Sequence, residues 1–275
     1  MKRRQFLKIA GFGSVAAGLL GIYPFLIERN LVLINRYRIP VPALPESFNG
    51  FRVVHLTDLH LGPLVSSAFI EHVIEKANKL KPDIIVCTGD YVQGRDSKKE
   101  INTVWPILAK LQAKHGVYSV LGNHDHWASA AKSLEWLQRT GQSLWHTCRA
   151  IYKDKERIII GGAGDYWEDK LMIDECFSST DEGDYRILLT HNPDSVDTKF
   201  DTPLSLILSG HTHGGQVSIP FYGPPVLPVK NKRYSSGLIK TPKGNLFISK
   251  GIGCVAYPVR FNCAPEIALL DLVTA

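Results

Sequence analysis

Cysteine is scarce in this 275-residue chain, and the five present (Cys87, Cys148, Cys176, Cys254, Cys263) form no Cys-x-x-Cys pair. An odd, small set of this kind excludes a disulfide scaffold and leaves at least one thiol free, although one bridge stays open. Cys87 lies inside the apolar run Ile84-Ile85-Val86-Cys87 and reads as a small core residue. Net charge is also missing from most of the chain. The formal +6 is carried by residues 1–38, which hold seven Lys/Arg against Glu28, so residues 39–275 sum to zero. A protein that grips nucleic acid by neutralising phosphates needs a basic face, and a balanced body lends that function no support. Internal repeats and low-complexity tracts are absent. With 44% hydrophobic residues the chain can bury a sizeable core, and its length reads as one domain, residues 39–275, behind a leader, residues 1–38.

The leader opens Lys2-Arg3-Arg4-Gln5-Phe6-Leu7-Lys8 and continues without a charge from Ile9 to Ile27. Nineteen helical residues span roughly 28 Å, close to the hydrocarbon thickness of a bilayer. The paired arginines before an apolar pair and a lysine resemble a twin-arginine export signal, which in bacteria carries folded proteins. No small-x-small cleavage site closes the run, because Ala16-Ala17-Gly18 sits in its middle. Retention as a membrane anchor through residues 9–27 is therefore expected. A functional twin-arginine signal places the body on the exported side of the bacterial cell membrane. Four Lys/Arg before the span and three after it leave a small margin for orientation, so the cytoplasmic face is the alternative.

Beyond Pro40 and Pro42, short β-branched runs alternate with helical patterns, the signature of an α/β domain. Strands are expected at Arg52–Thr57, Ile84–Thr88, Val117–Leu121, Arg157–Ile160, Arg186–Thr190 and Leu206–Leu208. Ser66–Leu80 sets Ile70, Val73, Ile74, Ala77 and Leu80 on one helical face, with Ser66 or Ser67 as N-cap. Glu100–Ala113 reads as a helix that Pro106 starts or kinks, and Ser129–Arg139 as one that ends at Gly141.

The strand ends carry the candidate function. Polar residues of metal-binding type come directly after the apolar run in five places: Asp58-Leu59-His60, Gly89-Asp90, Gly122-Asn123-His124-Asp125, His191-Asn192-Pro193, and Ser209-Gly210-His211-Thr212-His213. Such ends are where α/β sites form. One such Asp is a cap or turn former, and one such His is a hydrogen-bonded core residue. Six of the ten histidines in these loops (His60, His124, His126, His191, His211, His213), beside several carboxylates, waste hydrogen bonds unless a cation lies among them. Imidazole with carboxylate and amide oxygen but no thiolate suits manganese, iron or zinc. Seven donors (Asp58, His60, Asp90, Asn123, His191, His211, His213) exceed the needs of one open catalytic ion and fit two sharing a bridge, for which Asp90 is the natural choice.

Together these motifs, over residues 58–213, resemble the complete set of the calcineurin-like metallophosphoesterases. The resemblance implies an αββα sandwich of two mixed sheets flanked by helices. It further implies two divalent metal ions, manganese first, with iron, zinc or magnesium as alternatives. One ion would be held by Asp58, His60 and His213, the other by Asn123, His191 and His211, with Asp90 bridging. His124 would point at the phosphate as catalytic acid, and Asp125 would orient it through a hydrogen bond. The expected activity is hydrolysis of a phosphoric diester or pyrophosphate.

The substrate is read by loops outside that cradle. Pro220–Tyr234, rich in proline, basic and aromatic residues, either lines a pocket mouth and clasps an anionic head group or is a plain rigid loop. Trp127 either touches an apolar substrate or packs. Gly251-Ile252-Gly253, Tyr257-Pro258-Val259-Arg260 and Asn262-Cys263, together with His191-Asn192-Pro193-Asp194 and Gly210–Gln216, resemble one bacterial branch of the family, whose members often carry twin-arginine leaders and a relative of which hydrolyses UDP-2,3-diacylglucosamine in lipid A synthesis. A membrane-linked or lipid phosphate ester is the expected substrate. The alternatives are a metal-binding scaffold for a protein partner and a nuclease.

Overall fold

The computed structural model describes Gln5 and residues 21–274. The paired arginines and most of the expected anchor, residues 9–27, lie outside them. Among the described residues no helix is long and apolar enough to cross a membrane.

Eleven strands form two mixed sheets. The first contains β1 (Leu33–Val41), β2 (Phe51–Leu56), β3 (Ile84–Cys87), β4 (Val117–Ser119) and β11 (Glu266–Thr274), in the order β1-β11-β2-β3-β4. The second contains β5 (Cys148–Lys153), β6 (Glu156–Gly162), β7 (Tyr185–Leu189), β8 (Leu206–Ser209), β9 (Gly237–Thr241) and β10 (Gly244–Ile248), in the order β5-β6-β7-β8-β10-β9. Within each sheet, alternate residues of the buried strands face opposite layers. Val53, Ile84, Val86 and Leu270 meet Ile158, Ile187, Leu208 and Phe247 between the sheets. The opposite face of the first sheet packs under α1 (Ser67–Lys79), α2 (Lys98–Leu108) and α3 (Asn123–Arg139). Over the second sheet the outer layer is thinner: the four-residue α4 (Ile173–Cys176), a 3-10 turn at Pro193–Asp197 and the loop carrying Leu227, Val229 and Tyr234. The αββα expectation thus holds, with loops supplying much of its fourth layer.

The 38/39 division between leader and body falls inside β1, whose nine residues run parallel to β11 from Leu33 opposite Glu266 to Val41 opposite Thr274. Residues 28–38 therefore belong to the folded body. Glu28 is buried, and its carboxyl accepts from the Cys263 amide at 2.6 Å. The helix expected over Ser129–Arg139 is present, and a further helical segment from Asn123, with Gly122 as N-cap, precedes it in α3. Its backbone breaks at Ser129, which is extended at φ 175° and ψ 101°. Asp125 makes the early start favourable by accepting from the Gly122 amide at 2.9 Å. Pro106 lies within α2 rather than at its start.

The parallel strands β2 and β3 of one sheet and β7 and β8 of the other end on the same side of the sandwich, because loops leaving all four converge there. Gly122 and Gly210 permit the approach. A Cβ on Gly122 would come within 2.4 Å of Asp90 Oδ1, and one on Gly210 within 2.1 Å of Thr57 Oγ1.

Candidate metal centre

All seven expected donors are buried where those loops meet. Asp58 and His60 follow β2, Asp90 follows β3, Asn123 opens α3, His191 follows β7, and His211 and His213 follow β8. Asp58, His60, Asp90, His211 and His213 all sit at positive φ, between 50° and 68°. Left-handed backbone at residues other than glycine is strained, and such clustering marks a place where side-chain placement outweighs local comfort.

Three overlapping groups of three emerge: Asp58, His60 and His213 on one side, Asp90, His191 and His211 on the other, and His60, Asp90 and His124 between them. His213 Nε2 lies 3.2 Å from Asp58 Oδ1 and 3.0 Å from His60 Nε2. On the other side His191 Nε2 lies 3.1 Å from Asp90 Oδ2 and 3.1 Å from His211 Nδ1. Asp90 Oδ2 is also 3.6 Å from His60 Nε2, so this one oxygen reaches both sides.

The donor set fits cations. Imidazole nitrogens that face each other need a proton or a positive ion between them, and two nitrogens sharing a cation at about 2.1 Å stand roughly 3 Å apart. The backbone fixes the ring protons on two histidines. His191 Nδ1 donates to the Thr88 carbonyl at 2.7 Å and His211 Nε2 to the Pro228 carbonyl at 3.0 Å. The nitrogen left on each ring faces the other. Outer hydrogen bonds of this kind orient histidines for a metal. Asn123 Oδ1 is buried without a hydrogen-bond partner, an acceptor free for an ion. Electrostatics agree. Burial resists protonation of His191, yet the Asp90 carboxylate outweighs it and holds the pKa up at about 10, so the metal-free cluster draws in positive charge as a proton. Burial, followed by the charge on His191, pushes His211 down to about 3.

His124 is half-buried at the edge of this cluster. Its amide donates to Asp90 Oδ1 at 2.8 Å, and its ring Nδ1 donates to the Gln93 carbonyl at 3.0 Å. That carbonyl fills the orienting place the resemblance gave to Asp125. The Asp125 carboxylate instead accepts from the amides of Asp90 (2.8 Å), Tyr91 (3.0 Å) and Gly122. It positions the Asp90 loop, and burial together with the Asp90 charge pushes its pKa up to about 8.

Several residues around the centre carried no signal in the five motifs. Asp165, in the loop after β6, is buried with Oδ1 accepting from the Trp167 and Glu168 amides and Oδ2 unpartnered. It follows a strand as the motif residues do, which is the signal that would have found it. Trp167 meets the His211 ring edge-on at 4.5 Å, while Trp127 packs against His124 at 4.6 Å under the Arg95 guanidinium. Trp127 thus forms a wall of the site. Arg260, fully buried, donates to the carbonyls of Lys250, Gly253 and Cys263, and its Nη2 lies 3.3 Å from His213 Nδ1. Two of the cations expected to clasp an anionic group are engaged elsewhere: Lys232 Nζ donates to the carbonyls of Leu227 and Val229, and Lys230 Nζ to Tyr166.

Known proteins resemble this chain along most of its length. The family described as calcineurin-like phosphoesterase matches residues 51–215. The chain is 33% identical over 282 residues to the metallophosphoesterase YkuE of Bacillus subtilis, covering 99% of this chain and 98% of that one. It is 32% identical over 277 residues to the phosphodiesterase YaeI of Escherichia coli, covering 99% and 100%. It is 26% identical over 298 residues to the UDP-2,3-diacylglucosamine pyrophosphatase LpxG of Chlamydia trachomatis, covering 89% and 90%.

Proposed function

Because the chain belongs to the calcineurin-like phosphoesterases, which hydrolyse phosphoesters with the help of metal ions, we propose that it is a binuclear phosphodiesterase or pyrophosphohydrolase acting on a lipid-linked phosphate ester. The observation that carries the two-ion part is the place of Asp90, whose Oδ2 reaches both histidine groups. Asp58, His60 and His213 would hold one ion, Asn123, His191 and His211 the other, with Asp90 shared. Manganese suits the mixture of imidazole, carboxylate and amide oxygen without thiolate.

When bound, such a pair of cations supplies Lewis acidity to the phosphoryl oxygens and lowers the pKa of water. The chain's own residues do the rest. With Nδ1 engaged by Gln93, His124 in its protonated form carries its transferable proton at Nε2, for the departing ester oxygen. Asp125 fixes the loop that bears Asp90, and Trp127 and Trp167 wall the centre and limit water.

The lipid part rests on likeness to the pyrophosphatase named for UDP-2,3-diacylglucosamine, which makes that compound the first specific substrate to test. Residues 9–27 would attach the enzyme to the membrane, with the body on the exported side if the twin-arginine signal operates. A full set of buried donors argues against a bare scaffold, and the neutral body against a nuclease.

The test is hydrolysis of bis-p-nitrophenyl phosphate by protein stripped of metal and refilled with manganese. His124→Ala is expected to lower kcat by about 10²–10⁴-fold with metal content unchanged. Asp90→Ala is expected to lose metal and turnover together. Equal metal loss in both variants contradicts these roles.

A further inference from the structure

An apolar slot opens beside the metal centre. It has a volume of about 460 Å³, within the roughly 300–1,000 Å³ of small-ligand sites. Residues 215–228 form one wall and 255–259 the other, with Val217, Pro225 and Val226 facing Val255 and Val259. Thr212 and His213 also line it, and His213 is the histidine whose Nε2 lies 3.2 Å from Asp58.

The polar side chains in the lining have little to offer a ligand. Gln216 spends its amide on the Val255 backbone, donating to the carbonyl at 3.0 Å and accepting from the N–H at 2.7 Å. Thr212 donates to the Ser235 carbonyl at 2.6 Å and accepts from the Gly214 amide. A head group would find no free partner there, whereas hydrocarbon loses nothing.

The rim of the slot is apolar and exposed. Val226 and Tyr257 of its lining are largely exposed, and the turn Ile219–Gly223, in the chain between the lining residues Val217 and Pro225, carries the exposed Phe221 and Tyr222. Contiguous apolar surface beside a site marks a place where something apolar docks. The described end of the uncharged run, residues 21–27, meets the body nearby. The Pro24 carbonyl accepts from the amide of Arg260, one residue past the Val259 wall, and Tyr23, Leu31 and Pro220 line a common cavity.

We propose that this slot holds a hydrocarbon chain of the substrate, an acyl or alkyl chain whose phosphate group lies in the metal centre next to His213. The proposal rests on the phosphoesterase reading and narrows it: the enzyme measures the lipid tail as well as the phosphate. An aliphatic chain is selected over a partner's side chain because the slot shares His213 with the metal centre, so that its occupant adjoins the phosphate, and because its polar side chains are already paired.

Calorimetric titration of methyl, butyl, hexyl and octyl phosphate into the full, manganese-loaded chain, below micellar concentrations, tests it. The expected result is a Kd that falls about fourfold per methylene until the slot is full. Val226→Asp and Tyr257→Asp, both at exposed positions where folding is safe, should flatten that dependence. Equal Kd for methyl and octyl phosphate overturns the proposal, and so does a chain-length gain that survives in both variants. Bis-p-nitrophenyl phosphate hydrolysis by the same preparation separates the two claims. Turnover without a chain-length gain removes the slot and keeps the diesterase; a gain flattened by the variants, without turnover, keeps the slot and removes the diesterase.

Discussion

Single side chains show how far residue type alone can carry the identification of a site. The seven candidate ligands were legible because aspartate, asparagine and histidine directly after apolar runs have few other uses in such number. Asp165 and Trp167 were not, because they share a loop without a histidine or asparagine beside them and only folding brings them to His191 and His211. His55 was hidden for another reason: it occupies the middle of a strand, where a polar residue reads as an interruption. It is fully buried, with Nε2 2.8 Å from Thr88 Oγ1, and burial pushes its pKa down to about 4. The unfolded chain therefore takes up a proton at His55 near pH 6.5 that the folded chain refuses until about pH 4. Stability from this residue is complete above pH 6.5 and is lost as pH falls toward 4, by about 3 kcal/mol in total. Urea denaturation across that window should show the decline, to which His211 also contributes, and His55→Gln should make it shallower by the share of His55. An unchanged slope in the variant would assign the decline to other groups.

Burial on both faces made several strands readable as apolar runs, but not β11, which is buried from Glu266 to Leu270 and was not expected. The central strands β2, β3, β7 and β8 are continuous apolar runs, whereas β1 mixes Asn35, Arg36 and Arg38 into an edge whose outward residues are exposed. Its arginines resembled the basic flank of the leader. In the fold, β1 instead completes the hydrogen bonding of the buried Glu266 carboxyl, which accepts from Asn35 Nδ2 at 2.6 Å and Tyr37 Oη at 2.8 Å. Starting the chain at residue 39 would leave that carboxyl short of two donors and bare the edge of β11. A loss on the order of 3 kcal/mol is expected, or a Tm lower by about 6–12 °C, relative to a chain starting at residue 21. Differential scanning calorimetry of the two chains measures this; equal Tm values would show that β1 contributes little. The N-terminal half of α3 was missed for a related reason, since Asn123, His124 and Asp125 look like loop residues until the cap at Gly122 turns them into a first turn.

On the scale of the whole molecule, the two sheets meet in an apolar interior while all the chemistry sits at one end, where loops from both sheets close on each other. The α/β class was legible from the alternation of strands and helices and the sandwich from the family resemblance, but the order of its strands was not, because β10 and β11 return from the far end of the sequence to pair with β8 and β2. A cation bound at that end would join loops from both sheets, so metal affinity and global stability are linked. Protein held in chelator should melt below protein with manganese. At a free manganese concentration of about 100 times Kd the stabilisation is about 2.7 kcal/mol, or roughly 5–10 °C in Tm for a chain of this size. Asp90→Ala, which removes the oxygen that reaches both histidine groups, should abolish the shift, whereas His124→Ala should keep it. A Tm indifferent to manganese, iron, zinc and magnesium alike would mean that these seven side chains hold no ion, and the proposed chemistry would fall with them.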